Sequence, residues 1–247
     1  MSRLQPITTQ AGSLSFKTPE NAGWRVACMM VMGLLATPPM LAQATEKLWY
    51  KTGFKKNELN HWRVETKPDS VNRVFTKRGR LWIDTKAGVT VWLNKPLPAA
   101  YRISFLRKVV VKGGANDRLS DMNQFWQASD GLQSLQTPRL GVLESYDSLQ
   151  LYYAGIGGNY NSTSRFRKYT GNGQRQLLQD YTDSLHLLKP NKKYRITIEF
   201  VKGTTSLWVN GQRWFYLEDD APLPMGYFAL RSTWSRQWVR KFRIWQR

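Results

Sequence analysis

The chain has 247 residues, with 37 Lys and Arg against 17 Asp and Glu, and its formal net charge is +20. At 41% apolar and 22% charged residues it is too hydrophobic for a disordered polymer and too polar for a protein with several membrane spans. A single cysteine excludes a disulfide framework and a CxxC zinc site, and two histidines exclude a His-rich catalytic metal site. We therefore expect no cofactor and no metal. The 11 Trp, 11 Tyr and 10 Phe suit an all-β core and equally a surface that stacks against sugars or bases.

Residues 1–44 are predicted to be a leader that ends in a signal peptide. The apolar run VACMMVMGLLA, at 26–36, is too short to span a bilayer, and Ala42 and Ala44 form the small-residue pair of a cleavage site. The mature chain is then a single domain over 45–247 with no transmembrane span, in the periplasm or outside the cell. For an exported protein this charge favours an acidic polysaccharide or the outer-membrane face over nucleic acid. The alternative is that the charge only keeps the protein in solution.

The mature chain is predicted to consist of strands joined by turns. RLWIDT at 80–85 and GVTVWLN at 88–94 suggest a hairpin, and the strand at 101–111 is expected to pair with 89–93. YRITIEFV, at 194–201, alternates as a half-buried strand does. Asn210-Gly211, between two aromatic-rich runs, is the strongest hairpin signal, because a type I′ turn needs positive φ at both central residues.

The C-terminal third follows the same scheme. Residues 172–188 are predicted to form a long loop with at most one helical turn, and two final strands begin at Gly226 and Trp238. No helical pattern extends beyond two turns. The expected fold is therefore an all-β sandwich or barrel of one domain.

Polar, aromatic and glycine residues concentrate between 116 and 169, where we expect the functional site. In its first part, side-chain amides lie beside an indole, which suits a sugar subsite because a pyranose offers C–H groups to an aromatic face and hydroxyls at its edges. The alternative is a loop closed by Asx turns and a tryptophan in the core. The predicted substrate-binding residues of this part are Asn116, Arg118, Asp121, Asn123 and Trp126.

The second part contains GIGGNYN and SRFRKY. Its glycines free the backbone to approach a ligand, and Asn159 and Asn161 are predicted to bind substrate. Arg165, Arg167 and Tyr169 alternate, so they project from the same face of a strand. Because Arg binds a carboxylate through two hydrogen bonds, this face could hold a uronate, with a Tyr as proton donor or acceptor. The alternative is a structural network of these arginines with nearby carboxylates.

Four phrases, in chain order, resemble an uncharacterised family of exported bacterial proteins in the concanavalin A-like lectin/glucanase superfamily. They are NDRLSDMNQFWQASD, YDSLQLYYAGIGGNYNSTSRFRKY, LLKPNKKYRITIEF and GYFALRSTWSRQWVRKFRIW. The resemblance covers 48–245 and implies a jelly-roll of two curved antiparallel sheets, whose concave face binds carbohydrate in many relatives. The chain departs from the family pattern near its end, where Ser235 is followed by Arg236 and the family often has a His. A catalytic role of that His would be lost here.

The superfamily also contains enzymes of two kinds. Laminarinase-like hydrolases carry an ExDxxE or ExDxE strand, which this sequence lacks. Alginate-lyase-like jelly-rolls use Arg, Gln, His and Tyr to neutralise a uronate and transfer its proton, and Tyr can do so once nearby cations lower its pKa. The loose resemblance to that set implies catalytic roles for Arg165, Arg167, Tyr169 and Tyr153.

The leading hypothesis is an exported carbohydrate-active protein whose partner is an anionic poly- or oligosaccharide. The sequence leaves open whether it cleaves this partner, by lyase-type chemistry or as a glycoside hydrolase. The alternatives are a non-catalytic, lectin-like binding module and a basic envelope or partner-binding protein.

Overall fold

A computed structural model describes residues 45–56, 58–68, 72–131, 135 and 139–247, all within one compact unit. The predicted leader and signal peptide lie outside the described residues. Within the described part, no helical segment is longer than four residues. The short 3₁₀ turns are Glu58–His61, Leu143–Tyr146 and Ser184–His186.

The described part of the chain contains thirteen strands. They are β1 (Lys47–Thr52), β2 (Trp62–Thr66), β3 (Arg73–Thr76), β4 (Leu81–Leu93), β5 (Tyr101–Val110), β6 (Met122–Ser129), β7 (Gln150–Gly157), β8 (Thr163–Thr170), β9 (Arg175–Tyr181), β10 (Tyr194–Val201), β11 (Thr204–Val209), β12 (Gln212–Glu218) and β13 (Tyr227–Gln246).

The strands pair antiparallel in two layers that are continuous through β4 and β13. The first layer contains β2, β6, β7, β8 and β9 with the second half of β4 and the first half of β13. The second layer contains β1, β3, β5, β10, β11 and β12 with the remaining halves of β4 and β13.

Aromatic side chains fill the space between the layers. Trp126 of the first layer donates from its Nε1 to Thr205 Oγ1 of the second at 2.9 Å, and the rings of Phe166 and Phe215 stack with centroids 5.6 Å apart. Burying such rings is the main source of stability in a sheet sandwich. The fold is an all-β jelly-roll sandwich, as the sequence predicts.

The hairpin at Asn210-Gly211 is confirmed, with φ of 53° and 87° at its two central residues. Strand β10 also shows the predicted alternation, since Tyr194, Ile196 and Ile198 are buried while the residues between them are more exposed. The turn and the strand alternation are both set by neighbouring residues, so the local sequence is enough to predict them.

The predicted hairpin at 80–94 is wrong, because these residues form the single strand β4. Gly88 does not turn the chain. A Cβ atom at Gly88 would lie 2.0 Å from the carbonyl oxygen of Gly141, so this glycine allows a loop to pack directly on the strand.

Three other expectations are also corrected. Strand β5 pairs with β10 and β13 rather than with 89–93. The predicted loop at 172–188 contains β9, and the two final strands are the one long strand β13.

A second apolar cluster lies on the face of the first layer that points away from the sandwich interior. It includes Trp92, Phe125, Tyr153 and Tyr169. Beside it, the indole of Trp92 and the hydroxyl of Tyr146 both donate to buried Glu65, each at 2.8 Å. This cluster covers part of the outer face of the layer, and the remainder of the face forms a cleft.

Candidate functional site

The cleft has a volume of about 570 Å³ and lies over the first layer, next to the second apolar cluster. Directly beneath it, a row of cross-strand neighbours crosses β13, β6, β7 and β8. In that strand order the row consists of Arg231, Asn123, Gly155 and Arg165. The adjacent cross-strand row places Tyr153 opposite Arg167. Residues two apart on a strand share a face, so the sheet itself brings these side chains together.

Gly155 creates the space that the Tyr153 side chain occupies. A Cβ atom at Gly155 would lie 2.2 Å from the Tyr153 hydroxyl oxygen, so the phenol rests directly over the glycine backbone. Burial raises the pKa of Tyr153 above its usual value, although Arg231 and Arg167 act in the opposite direction. The nearby cations therefore do not bring the pKa of this tyrosine below its usual value, contrary to the expectation from the sequence, because burial outweighs them, and the phenol is protonated at neutral pH.

Arg231 places a buried positive charge in the cleft. Only 2% of the residue is exposed, and its guanidinium donates to Gly141 O at 3.0 Å and to Thr233 Oγ1 at 2.8 Å. Its Nε has no hydrogen-bond partner, and none of the described carboxylates lies within 4.0 Å of this guanidinium. Buried Glu65 is paired instead with Arg63, at 3.3 Å. A buried cation without a counterion favours an incoming anion.

Two further polar groups in the cleft lack a counterion or a hydrogen-bond donor among the described residues. Arg167 forms no ion pair with the described residues, and its guanidinium lies 5.8 Å from the Tyr153 ring. Asn123 is 2% exposed, and its side-chain oxygen has no hydrogen-bond donor. Together with Arg231, these groups offer both donors and an acceptor to a ligand.

Arg107 holds two of the site strands from the interior of the sandwich. Its buried guanidinium donates to the backbone carbonyls of Asn123 at 2.6 Å and Arg231 at 2.8 Å. A third bond, to Gln237 Oε1, measures 2.7 Å. Burial lowers the pKa of Arg107 to about 9. Arg107 is therefore a positioning residue, since it fixes the backbone from which two cleft side chains project.

At the rim, a tight turn exposes an aromatic ring. Asn159, Tyr160 and Asn161 have φ of 49°, 58° and 64°, a left-handed conformation that is strained for residues other than glycine. Asn161 secures the turn, because its side-chain amide bonds both the carbonyl and the N–H of Leu188, at 2.9 and 2.8 Å. As a result Tyr160 is 74% exposed at the cleft, and the Arg118 guanidinium lies 4.6 Å from its ring.

Basic side chains outnumber acidic ones in the cleft. The charged residues that line it are Lys67, Arg118, Arg165, Arg167, Arg175 and Arg231, against Asp121 and Glu144. Three of the arginines are neutralised, in the pairs Arg118–Asp121, Arg165–Asp180 and Arg175–Asp147. Strands β6, β7, β8 and β13 contain no Asp or Glu. These four strands therefore supply no carboxylate to the cleft, and its acidic lining residues, Asp121 and Glu144, lie outside them.

The cleft brings together seven of the residues predicted from the sequence. They are Arg118, Asp121, Asn123, Tyr153, Asn159, Arg165 and Arg167. Asn116 and Asn161 have structural roles instead, since Asn116 donates to Asp84 at 2.8 Å and Asn161 holds the rim turn. Of the residues predicted between 116 and 169, some therefore line the cleft and others hold the surrounding loops in place.

Two predicted aromatic residues do not reach the cleft. Trp126 is fully buried between the layers, stacked on Phe166 with centroids 5.6 Å apart, so its assignment as a sugar platform is corrected. Strand alternation is the reason, because Trp126 and Asn123 point to opposite faces of β6. Tyr169 is fully buried in the second apolar cluster, where burial raises its pKa. It is therefore not placed to exchange protons with a ligand in the cleft.

Sequence reasoning did not select two important residues of the cleft. Tyr160 lies inside the glycine-rich motif, but only its left-handed turn makes it exposed. Arg231 interrupts the apolar run YFAL, and a lone charge within such a strand is the signal that could have identified it.

The described residues include no group of three His, Cys, Asp or Glu that could hold a metal ion. His186 lies apart from the cleft lining, paired with Asp183 at 2.7 Å and stacked on Tyr181. In the part of the chain that the structure covers, no helix has the length and apolar character needed to cross a membrane.

Solved structures define the fold class as a galectin-like and concanavalin A-like sandwich. A protein of unknown function with a galectin-like fold from Bacillus subtilis is 16% identical, with a TM-score of 0.64 over 82% of this chain and 98% of that one. A carbohydrate-binding module from Bacillus subtilis is 8% identical, with a TM-score of 0.53 over 80% of this chain and 98% of that one. The laminarinase catalytic domain from Thermotoga maritima is 12% identical, with a TM-score of 0.54 over 82% and 98%. At these identities the likeness concerns the fold alone.

Within this class, the chain belongs to the family described as Domain of unknown function (DUF6250), whose model matches residues 83–242. Apart from Lys67, every residue that lines the cleft falls within the matched range. No curated protein matches the sequence significantly.

Proposed function

We propose that this protein binds an anionic oligo- or polysaccharide in the cleft. The observation that carries the proposal is Arg231, a buried guanidinium with no carboxylate within 4.0 Å among the described residues. Beside it, Arg167 adds a second charge that has no carboxylate within 4.0 Å among the described residues. A ligand carboxylate or sulfate would supply the missing negative charge and form charge-assisted hydrogen bonds in a partly desolvated setting.

A saccharide fits the remainder of the cleft. Tyr160 offers an exposed ring at the rim, and Asn123 and Asn159 offer amides that can bond hydroxyl groups. A carbohydrate-binding module and a laminarinase share the fold, which supports a sugar ligand by analogy. The basic, signal-like leader supports export, so we propose that binding takes place in the periplasm or outside the cell.

The test compares a uronate-containing oligosaccharide with the same oligosaccharide after reduction of its carboxyl groups, by calorimetric titration of the protein. We expect the acidic form to bind at least tenfold more tightly. Arg167→Gln should remove most of that preference. The matched control is Lys55→Gln, which removes one exposed positive charge outside the cleft and should leave the affinity unchanged. Equal affinity for the two forms would contradict the proposal.

β-Elimination is the second candidate, and the position of Tyr153 favours it. In that reaction a base removes the C5 proton of a uronate, a double bond forms and the C4–O bond breaks, with a proton delivered to the leaving oxygen. Arg231 and Asn123 could neutralise the carboxylate, and protonated Tyr153 could serve as the acid. Its raised pKa does not suit the role of base, and no histidine lines the described cleft. The geometry therefore supports binding better than turnover.

Ultraviolet absorbance separates the two candidates. A binding protein gives a flat trace with a panel of uronate polymers, whereas elimination produces an absorbing unsaturated uronate. A rising trace that Tyr153→Phe abolishes would replace the binding proposal with a lyase. If no saccharide binds while unrelated polyanions bind with strong salt dependence, the protein is a basic envelope protein instead.

A further inference from the structure

The outer face of the second layer lies on the opposite side of the sandwich from the cleft, and arginine and tryptophan side chains cover it. Register places Trp238 of β13 opposite Lys108 of β5, and Arg240 of β13 opposite Leu106, which also pairs with Arg195 of β10. We define the outer cationic face by the basic residues Arg80, Lys108, Arg195, Arg213, Arg240 and Arg243.

On this face two aromatic rings, those of Trp238 and Tyr216, lie under guanidinium groups. Arg80 and Arg240 lie over the Trp238 ring, at 4.9 and 5.6 Å from its centre. Arg213 lies 4.4 Å from the centre of the Tyr216 ring. These contacts fix the positions of the guanidinium groups, so a bound anion would restrict the arginine side chains little further. They also occupy the faces of the Trp238 and Tyr216 rings, so these two rings lie beneath fixed positive charge and are not free platforms for stacking.

Nearby carboxylates balance the positive charge of this face only in part, because Glu46 and Glu199 are paired with the neighbouring arginines Arg102 and Arg247. None of its six basic side chains has a carboxylate within 4.0 Å among the described residues. Lys108 shows the effect of the crowding. Burial lowers the pKa of Lys108, and the nearby cations Lys112, Lys193 and Arg80 lower it further. A polyanion bound here would relieve this repulsion.

We propose that the outer cationic face is a second contact surface for the anionic polysaccharide, holding the polymer by charge outside the cleft. The proposal rests on the function proposed above. Nucleic acid is less suitable, because single strands bind by stacking their bases, and of the rings on this face Trp238 is buried and Tyr216 lies under Arg213. A membrane is also less suitable, because interfacial binding buries apolar side chains and the exposed large apolar residues of the described chain lie elsewhere, apart from Leu48 beside Trp245.

The test uses the triple variant Arg195→Gln, Arg240→Gln and Arg243→Gln. Its control is Lys55→Gln, Lys56→Gln and Lys86→Gln, which removes the same charge from exposed positions outside this face. We expect the triple variant to lose roughly tenfold in affinity for a long polyuronate, with a weaker dependence on salt. Its affinity for an oligosaccharide short enough to fit in the cleft should not change, and neither should its melting temperature. The control should bind both ligands as the wild type does.

Several outcomes would overturn the proposal. One is unchanged polymer affinity in the triple variant, and another is an equal loss in the control. Tighter binding of single-stranded DNA or of anionic phospholipid vesicles than of polyuronate, lost in the triple variant, would assign the face to that partner instead. Failure of the cleft proposal gives a different result. In that case the wild type has no affinity for the short oligosaccharide, while its polymer binding still depends on the outer cationic face.

Discussion

Replacing Arg231 with methionine should greatly weaken anion recognition and leave the fold intact. Methionine keeps most of the side-chain volume but removes the charge and the bonds to Gly141 O and Thr233 Oγ1. A hydrogen bond to a charged group contributes about 1.5–3 kcal/mol, so the loss corresponds to roughly a 10- to 150-fold drop in affinity for an acidic oligosaccharide.

The effect on stability should be small, because two contributions oppose each other. The two lost hydrogen bonds destabilise the loop around Gly141. Removing a desolvated charge that has no carboxylate partner recovers several kcal/mol of unfavourable solvation energy. We therefore expect the free energy of unfolding to change by less than about 2 kcal/mol. Arg231→Lys keeps the charge but not the planar fork, so it should lose affinity by a smaller factor.

Calorimetric titration and denaturant unfolding of the wild type and both variants provide the assay. Titrating the carboxyl-reduced oligosaccharide in parallel distinguishes two causes of weaker binding. Loss of the charge lowers the affinity for the acidic oligosaccharide only, whereas displacement of the loop also lowers the affinity for the neutral one. If the methionine variant binds the acidic oligosaccharide as tightly as the wild type, the assignment of Arg231 as the anion-recognition residue is refuted.

Three further predictions concern the core and the supports of the site. Trp126→Phe should lower the free energy of unfolding by about 1–3 kcal/mol, measured in urea, and leave ligand affinity unchanged, because this ring lies between the layers. Gly155→Ala should force the Tyr153 phenol out of its position, at about 1–3 kcal/mol of stability and with weaker ligand binding by titration. Burial raises the pKa of Asp219, but the hydrogen bonds from Tyr152, from the Ala221 N–H and above all from its ion-pair partner Lys168 together outweigh burial, so the folded-state pKa lies below its usual value. That pair stabilises the fold above about pH 4 and less as the pH falls through the folded pKa, so Asp219→Asn should flatten the acid side of a stability-against-pH curve.

Sequence patterns predicted the strands and the face on which the cleft residues lie, because alternation is a local property. Arg165 and Arg167 share a face for that reason alone. The same alternation separated Asn123 from Trp126, but it did not say which of the two faces was interior. That depends on the opposing layer, where Thr205 accepts the indole hydrogen bond.

Long-range pairing accounts for what the sequence did not reveal. The Gly88 region resembles a turn when read alone, and it is a strand because it pairs with β2 and β13, while Gly88 leaves room for the loop that carries Gly141. Arg231 resembles one more surface cation, and its burial depends on that same loop. Tyr153 resembled a tyrosine activated by cations, but the desolvation that raises its pKa follows from the cluster around it.

The long strand β13 makes the two layers a single cooperative unit. Along one edge it pairs with β4 and then β1, and along the other with β6 and then β5. Neither layer can separate without breaking hydrogen bonds in the other, so the amide protons at the centre of β13 should exchange with solvent only through global unfolding. The same strand carries Arg231 near its start and Arg243 near its end, so a single rigid element fixes the spacing between the cleft and the opposite face.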